Sequence, residues 1–236
     1  MNAILITIIS GLSFFIGYLI TVLVKDKKKL IIFSVSFSFS IIVGLILFDL
    51  LPECFELLTN NWLILISVLI GISLLKLLDI FIPDHDHNDS EKKNHMEHIG
   101  LISALALFLH NIIEGTAIYT TSLTNVKLGL IMSIGVSFHN IPLGIQVSSL
   151  IKNKTEKIIL MSLLVLSSIV GIVFINISKI TLNDVVLGVL ISVTLGMLIY
   201  IAFFELFCEV RESIKEKETV YGLLFGVFII VLTQLI

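Results

Sequence analysis

The chain has 236 residues, 57% of them hydrophobic and 14% charged, with a formal net charge of -3. Ordinary soluble domains carry about 25% charged residues, and a chain of this size in water cannot hide so much apolar surface. The composition therefore excludes a soluble domain and calls for lipid as solvent; the small net charge gives no footing for a nucleic-acid partner. Apolar runs of about 20 residues predict an all-α membrane protein of eight transmembrane helices, at 2–24, 30–51, 62–82, 99–121, 128–150, 158–178, 184–208 and 219–236. The first run lacks a basic segment before it and reads as a spanning helix, not a cleavable signal. The breaks are short and polar (KDKKK, TNN, TSLTN, KNKTEK, LND, RESIKEKE), apart from one longer stretch at 83–98. Connections this short make successive helices antiparallel.

Lysine and arginine orient the chain, because cytoplasmic loops carry their excess. Loops one, three, five and seven hold Lys25, Lys27, Lys28, Lys29, Lys92, Lys93, Lys152, Lys154, Lys157, Arg211, Lys215 and Lys217, whereas the other side holds only Lys127 and Lys179. Both termini are expected outside and the histidine-bearing loop in the cytoplasm. Cys54 and Cys208 then lie toward opposite faces, which argues against a disulfide.

Two weak repeats run through the sequence. LFLHNIIEG at 107–115 returns as VSFHNIPLG at 136–144, and LFDLLPE at 47–53 resembles FFELFCE at 203–209. Each pair falls on helices of opposite direction, the pattern of an inverted-repeat transporter with its site at the repeat interface.

The first pair carries the chemistry. His110 and Glu114 are four residues apart, which stacks their side chains on one helix face. A carboxylate at mid-membrane depth is costly without a partner. Asn111 is one position round the helix, and His139 and Asn140 repeat the arrangement on the fifth helix. Two imidazoles, a carboxylate and two amide oxygens suit a borderline divalent cation such as zinc. The competing reading is a buried hydrogen-bonded cluster that only locks helix packing. Pro142 removes an amide donor from the fifth helix and frees the carbonyl of Phe138, either to face a cavity or as a packing kink.

Asp49 and Glu205, near the ends of helices two and seven, are candidates for the two mouths of a transport path, or else hydrated interfacial residues. His85, His87, His95 and His98 give the cytoplasmic loop an imidazole-rich composition that binds metal loosely; a solvated linker is the alternative.

At these motifs the sequence resembles the ZIP (Zrt-, Irt-like protein) family of divalent metal transporters. That resemblance implies a ZIP-like bundle of eight helices, both termini outside and a cytoplasmic His-rich loop between helices three and four. It also implies an intramembrane metal centre held by His110, Asn111 and Glu114 in HNIIEG (110–115) and by His139 and Asn140 in HNIPLG (139–144). Two positions depart from the family pattern. Leu143 replaces the second motif glutamate, and in LSSIVG (166–171) Ser168 occupies the place of a further glutamate of helix six, a third candidate path position. Two missing carboxylates argue against a binuclear centre.

The expected function is movement of a divalent metal into the cytoplasm, zinc first, with iron, manganese or cadmium as other substrates. The partners are the metal ions and the lipid bilayer, with a homodimer left open, and no prosthetic group is expected. An altered-selectivity or non-transporting metal-binding protein is the alternative. A bis-histidine haem protein on His110 and His139 leaves Glu114 unexplained. An intramembrane metallohydrolase would want HExxH, which the sequence lacks, so no enzyme is expected.

Overall fold

The computed structural model describes residues 2–81, 91–178 and 183–235, and every regular element among them is helical. In chain order these are α1 (Ala3–Leu23), α2 (Lys27–Leu57), α3 (Asn61–Phe81), α4 (Glu91–Thr124), α5 (Val126–Leu150), α6 (Lys154–Ser178), α7 (Asp184–Glu212) and α8 (Lys217–Thr233). Six spans among the described residues are long and apolar enough to cross a membrane: Ala3–Leu23, Lys27–Leu57, Met96–Leu123, Val126–Leu150, Lys154–Val173 and Asp184–Glu212. In α3 the apolar stretch is shorter, Asn61–Leu77, and α8 runs 17 residues.

The polar breaks in the sequence end in helix caps. Asn2, Asp26, Asn125 and Asn183 each accept a backbone N–H from the first turn of the helix that follows, which satisfies a donor the helix itself leaves unpaired. Helix α4 begins at Glu91, earlier than the expected 99. The stretch EKKNHMEH contains good helix formers and no proline or glycine, so nothing in it stops the helix from starting inside the expected loop. His98 is thus a half-buried residue of α4. His85 and His87 lie outside the described residues, as does the side chain of His95.

Helices α2 and α7 each contain one π-helical turn, at Leu45–Leu50 and Ile201–Leu206. Leu51 N–H reaches Ile46 O, and Phe207 N–H reaches Ala202 O, five residues back in both cases. Both turns overlap the repeated segments LFDLLPE (47–53) and FFELFCE (203–209), each beginning two residues before its segment. In α2 the widened turn ends two residues before Pro52. A proline in a regular helix collides with the carbonyl four residues earlier; after the widened turn the helix runs on to Leu57 instead of ending near 51.

Helix packing centres on α4 and α5. The pairs α1–α5, α4–α6, α4–α5 and α1–α6 form one group, while α2 pairs with α8 and α3 with α7. The outer faces are apolar and open: Leu65, Ile66, Leu69 and Ile70 on α3, and Leu224, Val227 and Phe228 on α8 are exposed. Such faces fit a membrane surrounding and not water. The interior is polar by comparison. Ser10, Ser103, His110, Asn111, Asn140, Gln146 and Ser167 are all buried.

Candidate metal centre

Glu114 is the hub of the site. Its Oε1 lies 3.0 Å from His110 Nε2 on its own helix and 3.0 Å from His139 Nε2 on α5. The His139 contact has hydrogen-bond geometry; the His110 contact does not, and His110 Nε2 is buried without a hydrogen-bond partner. Glu114 Oε2 is likewise buried and unpartnered. One ligand atom from each of the three residues lies within 4.8 Å of the others. Donors bound tetrahedrally to zinc sit about 3.3 Å apart, so the three need little rearrangement to share an ion. Protein interiors seldom leave polar atoms unpaired. Orphaned nitrogen and carboxylate oxygen side by side are what an ion of this class would satisfy.

The local fold explains why these side chains converge. The i,i+4 spacing puts His110 and Glu114 on the face of α4 that meets α5, and the half-turn through Asn125 returns the chain directly into α5. Asn111 and Asn140 work outward. Asn111 Nδ2 donates to Leu164 O and Ser167 Oγ on α6, both at 2.8 Å, and Asn140 Nδ2 donates to Ser10 O on α1 at 3.3 Å. Each asparagine thus ties a histidine-bearing helix to a different neighbour, while the amide oxygens of both are buried without a partner. Pro142 stays inside α5, its carbonyl accepting from Ser38 Oγ of α2 at 3.3 Å.

The glycines that close the two motifs are close-approach positions. A Cβ on Gly115 would stand 2.6 Å from Ser168 Cα on α6, and one on Gly144 would stand 3.1 Å from Phe14 Cα on α1. Backbones at that separation leave no room for a side chain. Gly115→Val is expected to destabilise by about 1–3 kcal/mol through overpacking, read as a lowered thermal midpoint of the purified protein. An unchanged midpoint would mean that α4 and α6 do not meet there.

A cavity of about 510 Å³ is lined by His110, Glu114 and His139 together with Asp49, Glu53 and Glu56 of α2. Asp49 therefore shares the cavity of the histidine cluster. Glu53 and Glu56 were not singled out by the sequence; the signal was available, because Glu53 follows Asp49 at i+4. Glu205 lies elsewhere, buried within the π turn of α7. Ser168 is fully buried where α6 meets Gly115 and Gly11, and its hydroxyl donates to Val165 O at 2.8 Å. Leu143 is fully buried in the main apolar cluster.

The chain also has relatives among known proteins. The profile of the family described as ZIP Zinc transporter matches residues 83–234. The chain is similar to proteins named Zinc transporter ZupT over nearly its whole length. It is 27% identical to that of Clostridium perfringens (strain 13 / Type A), covering 99% of this chain and 95% of the relative. The protein of Streptococcus mutans serotype c is 26% identical, covering 100% and 97%. The protein of Oceanobacillus iheyensis is 28% identical, covering 99% and 97%.

Proposed function

Because the chain belongs to the ZIP zinc transporter family and is a multi-pass membrane protein, we propose that it moves a divalent cation, zinc first, across the cell membrane into the cytoplasm through the centre of His110, Glu114 and His139. One observation carries this reading: three donors from two helices converge in the lining of a cavity, with a nitrogen and a carboxylate oxygen buried without a hydrogen-bond partner. In this reading the amide oxygens of Asn111 and Asn140, buried without a partner, complete the shell together with water. An incomplete, partly hydrated shell can release its ion, as a carrier must. The centre holds one ion, since Leu143 offers no donor and Ser168 spends its hydroxyl on its own helix.

Uptake into proteoliposomes, run in parallel for zinc, iron, manganese and cadmium, tests the reading. Zinc accumulation above protein-free vesicles is expected. Zinc binding with no uptake of any of the four would make the protein a metal-binding membrane protein and not a carrier.

In this reading α1 to α8 all span the bilayer, with both ends of the chain outside and residues 83–98 in the cytoplasm. The lysine and arginine distribution supports the orientation. An inverted repeat is supported by the packing pairs: exchanging α1 with α6, α2 with α7, α3 with α8 and α4 with α5 turns the pair α2–α8 into α7–α3, and α1–α5 into α6–α4. The two π turns, and the outward hydrogen bonds of Asn111 and Asn140, obey the same exchange. In a background with Cys54→Ser and Cys208→Ser, single cysteines at Lys92 and at the C-terminus are expected to label from opposite sides of the membrane. Labelling of both from one side would discard this topology.

A further inference from the structure

Two helical turns bring a residue back to nearly the same face. On α5, Gln146 stands seven residues past His139, and on α4, Ser103 stands seven before His110. The two meet: Gln146 Nε2 donates to Ser103 Oγ at 3.2 Å. Both side chains are fully buried, and Gln146 Oε1 has no hydrogen-bond partner. A buried amide oxygen left in that state costs about 1–3 kcal/mol, a cost that an ion at the oxygen removes. Leu107 and Leu143 occupy the intervening turns of the two helices, both fully buried in the main apolar cluster. Neither leucine nor Gln146 is among the residues lining the cavity of His110, Glu114 and His139. Past Gln146 the polar character continues. Ser149 Oγ donates to Gln146 O at 2.9 Å and lies 2.7 Å from Ser34 Oγ of α2. Ser149 also lines a second cavity, of about 450 Å³, together with Lys28 and Lys152, on the side that the proposed topology gives to the cytoplasm.

We propose that Gln146 Oε1 and Ser103 Oγ form an uncharged site for a divalent cation, which receives the ion from the centre once Leu107 and Leu143 part and releases it toward the second cavity. Affinity at oxygen sites follows the charge of the ligands. An amide oxygen with a hydroxyl therefore holds the ion briefly, where carboxylate with two imidazoles holds it firmly. The apolar layer between the two sites keeps the ion at the centre until α4 and α5 rearrange, because a cation does not enter hydrocarbon unpaired. This inference rests on the transport reading above, and its test keeps the two apart.

The probe is zinc alone, added to the purified full chain in detergent for equilibrium binding and to proteoliposomes for uptake. Wild type is expected to bind one ion per chain, since the uncharged pair does not hold one at equilibrium. Gln146→Glu gives the pair a charge and keeps its shape. It is expected to bind two ions, the second showing at the zinc edge as an anomalous peak about 10 Å from the first along α5. Gln146→Met keeps the length of the side chain and removes the oxygen. It is expected to lower kcat for uptake about 10-fold, with KM and equilibrium affinity within about 2-fold, because the lost contact is made only after the ion leaves the centre. Where a Gln146 variant does not fold, Ser103→Asp replaces the first and Ser103→Ala the second, with the same expectations. A glutamine that only fastens α4 to α5 leaves Gln146→Glu with one ion. That result, or an unchanged kcat in Gln146→Met, overturns the uncharged site. Two ions in Gln146→Glu with no uptake by wild type keeps the site and overturns the transport reading instead.

Discussion

Glu114→Gln is expected to abolish zinc uptake while leaving the protein folded. Glu114 is the one carboxylate in the cluster, and both histidines approach the same oxygen at 3.0 Å. Glutamine keeps the shape and removes the charge. An ionised carboxylate in a low-dielectric interior is costly by itself, and a divalent cation reverses that cost because its own charge dominates the local field. Removing the charge should therefore lower metal affinity by more than the roughly 10–100-fold that outer-shell changes cause. Without zinc, the thermal midpoint of the variant is expected to equal or exceed that of wild type, since glutamine keeps an acceptor for His139 and carries no charge that has to be buried. Wild-type affinity should weaken as pH falls, because zinc requires neutral imidazole and anionic carboxylate and protons compete for all three. A cluster that served packing alone would give the reverse pattern: glutamine would bond both histidines and uptake would persist. Near-normal uptake by Glu114→Gln, measured beside its melting curve, would place the metal site elsewhere.

Leu143→Glu is expected to cost stability and to add no second ion to the centre. The resemblance to ZIP transporters makes restoring a glutamate here look like the repair of a binuclear site. The packing says otherwise. Leu143 is fully buried in the apolar cluster that also contains Phe14 and Leu107, and it is not among the residues lining the cavity. Gly144 beside it is pressed against the Phe14 backbone, so α5 has no slack with which to turn a longer side chain toward the centre. An uncompensated charge in such a place costs about 3–5 kcal/mol, or the group stays protonated. The expected result is a sharply lower thermal midpoint and, at the zinc edge, one anomalous peak between α4 and α5. A second peak within about 4 Å of the first, with stability retained, would show that position 143 faces the ion after all.

Much of this architecture could be read before any coordinates. Long apolar runs bounded by Asn and Asp announced where helices lie, because a buried backbone has no other means of satisfying itself in lipid. The His110–Glu114 pair was legible from spacing alone, and His139 from the repeat of its motif. What stayed hidden depends on distances between segments far apart in sequence. Asp49 and His110 are on different helices, and only packing shows that they share a cavity. Glu53, four residues after Asp49, was not singled out. The asparagines illustrate the same limit. Their place beside the histidines was plain, but their amide nitrogens turn to Leu164 and Ser10, and a one-dimensional pattern does not record which way a side chain turns. The motif glycines were visible as letters, while their reason, a neighbouring backbone within contact distance, was not.

The π turns in α2 and α7 have a bearing on how these two helices tolerate change. A π turn is an α helix holding one surplus residue, and the surplus acts as a phase correction: it rotates all that follows by about 100° relative to an uninterrupted helix. In α2 the turn lies between the buried half before Leu45 and the acidic half that lines the cavity, so the shift sets their relative phase. Deleting a single residue from Leu45–Leu50 would restore regular hydrogen bonding and at the same time swing Asp49 and Glu53 away from the cavity, or else pull Ile41 and Ile42 out of the core. Length is therefore a tighter constraint than identity at the positions of these two turns that face neither core nor cavity.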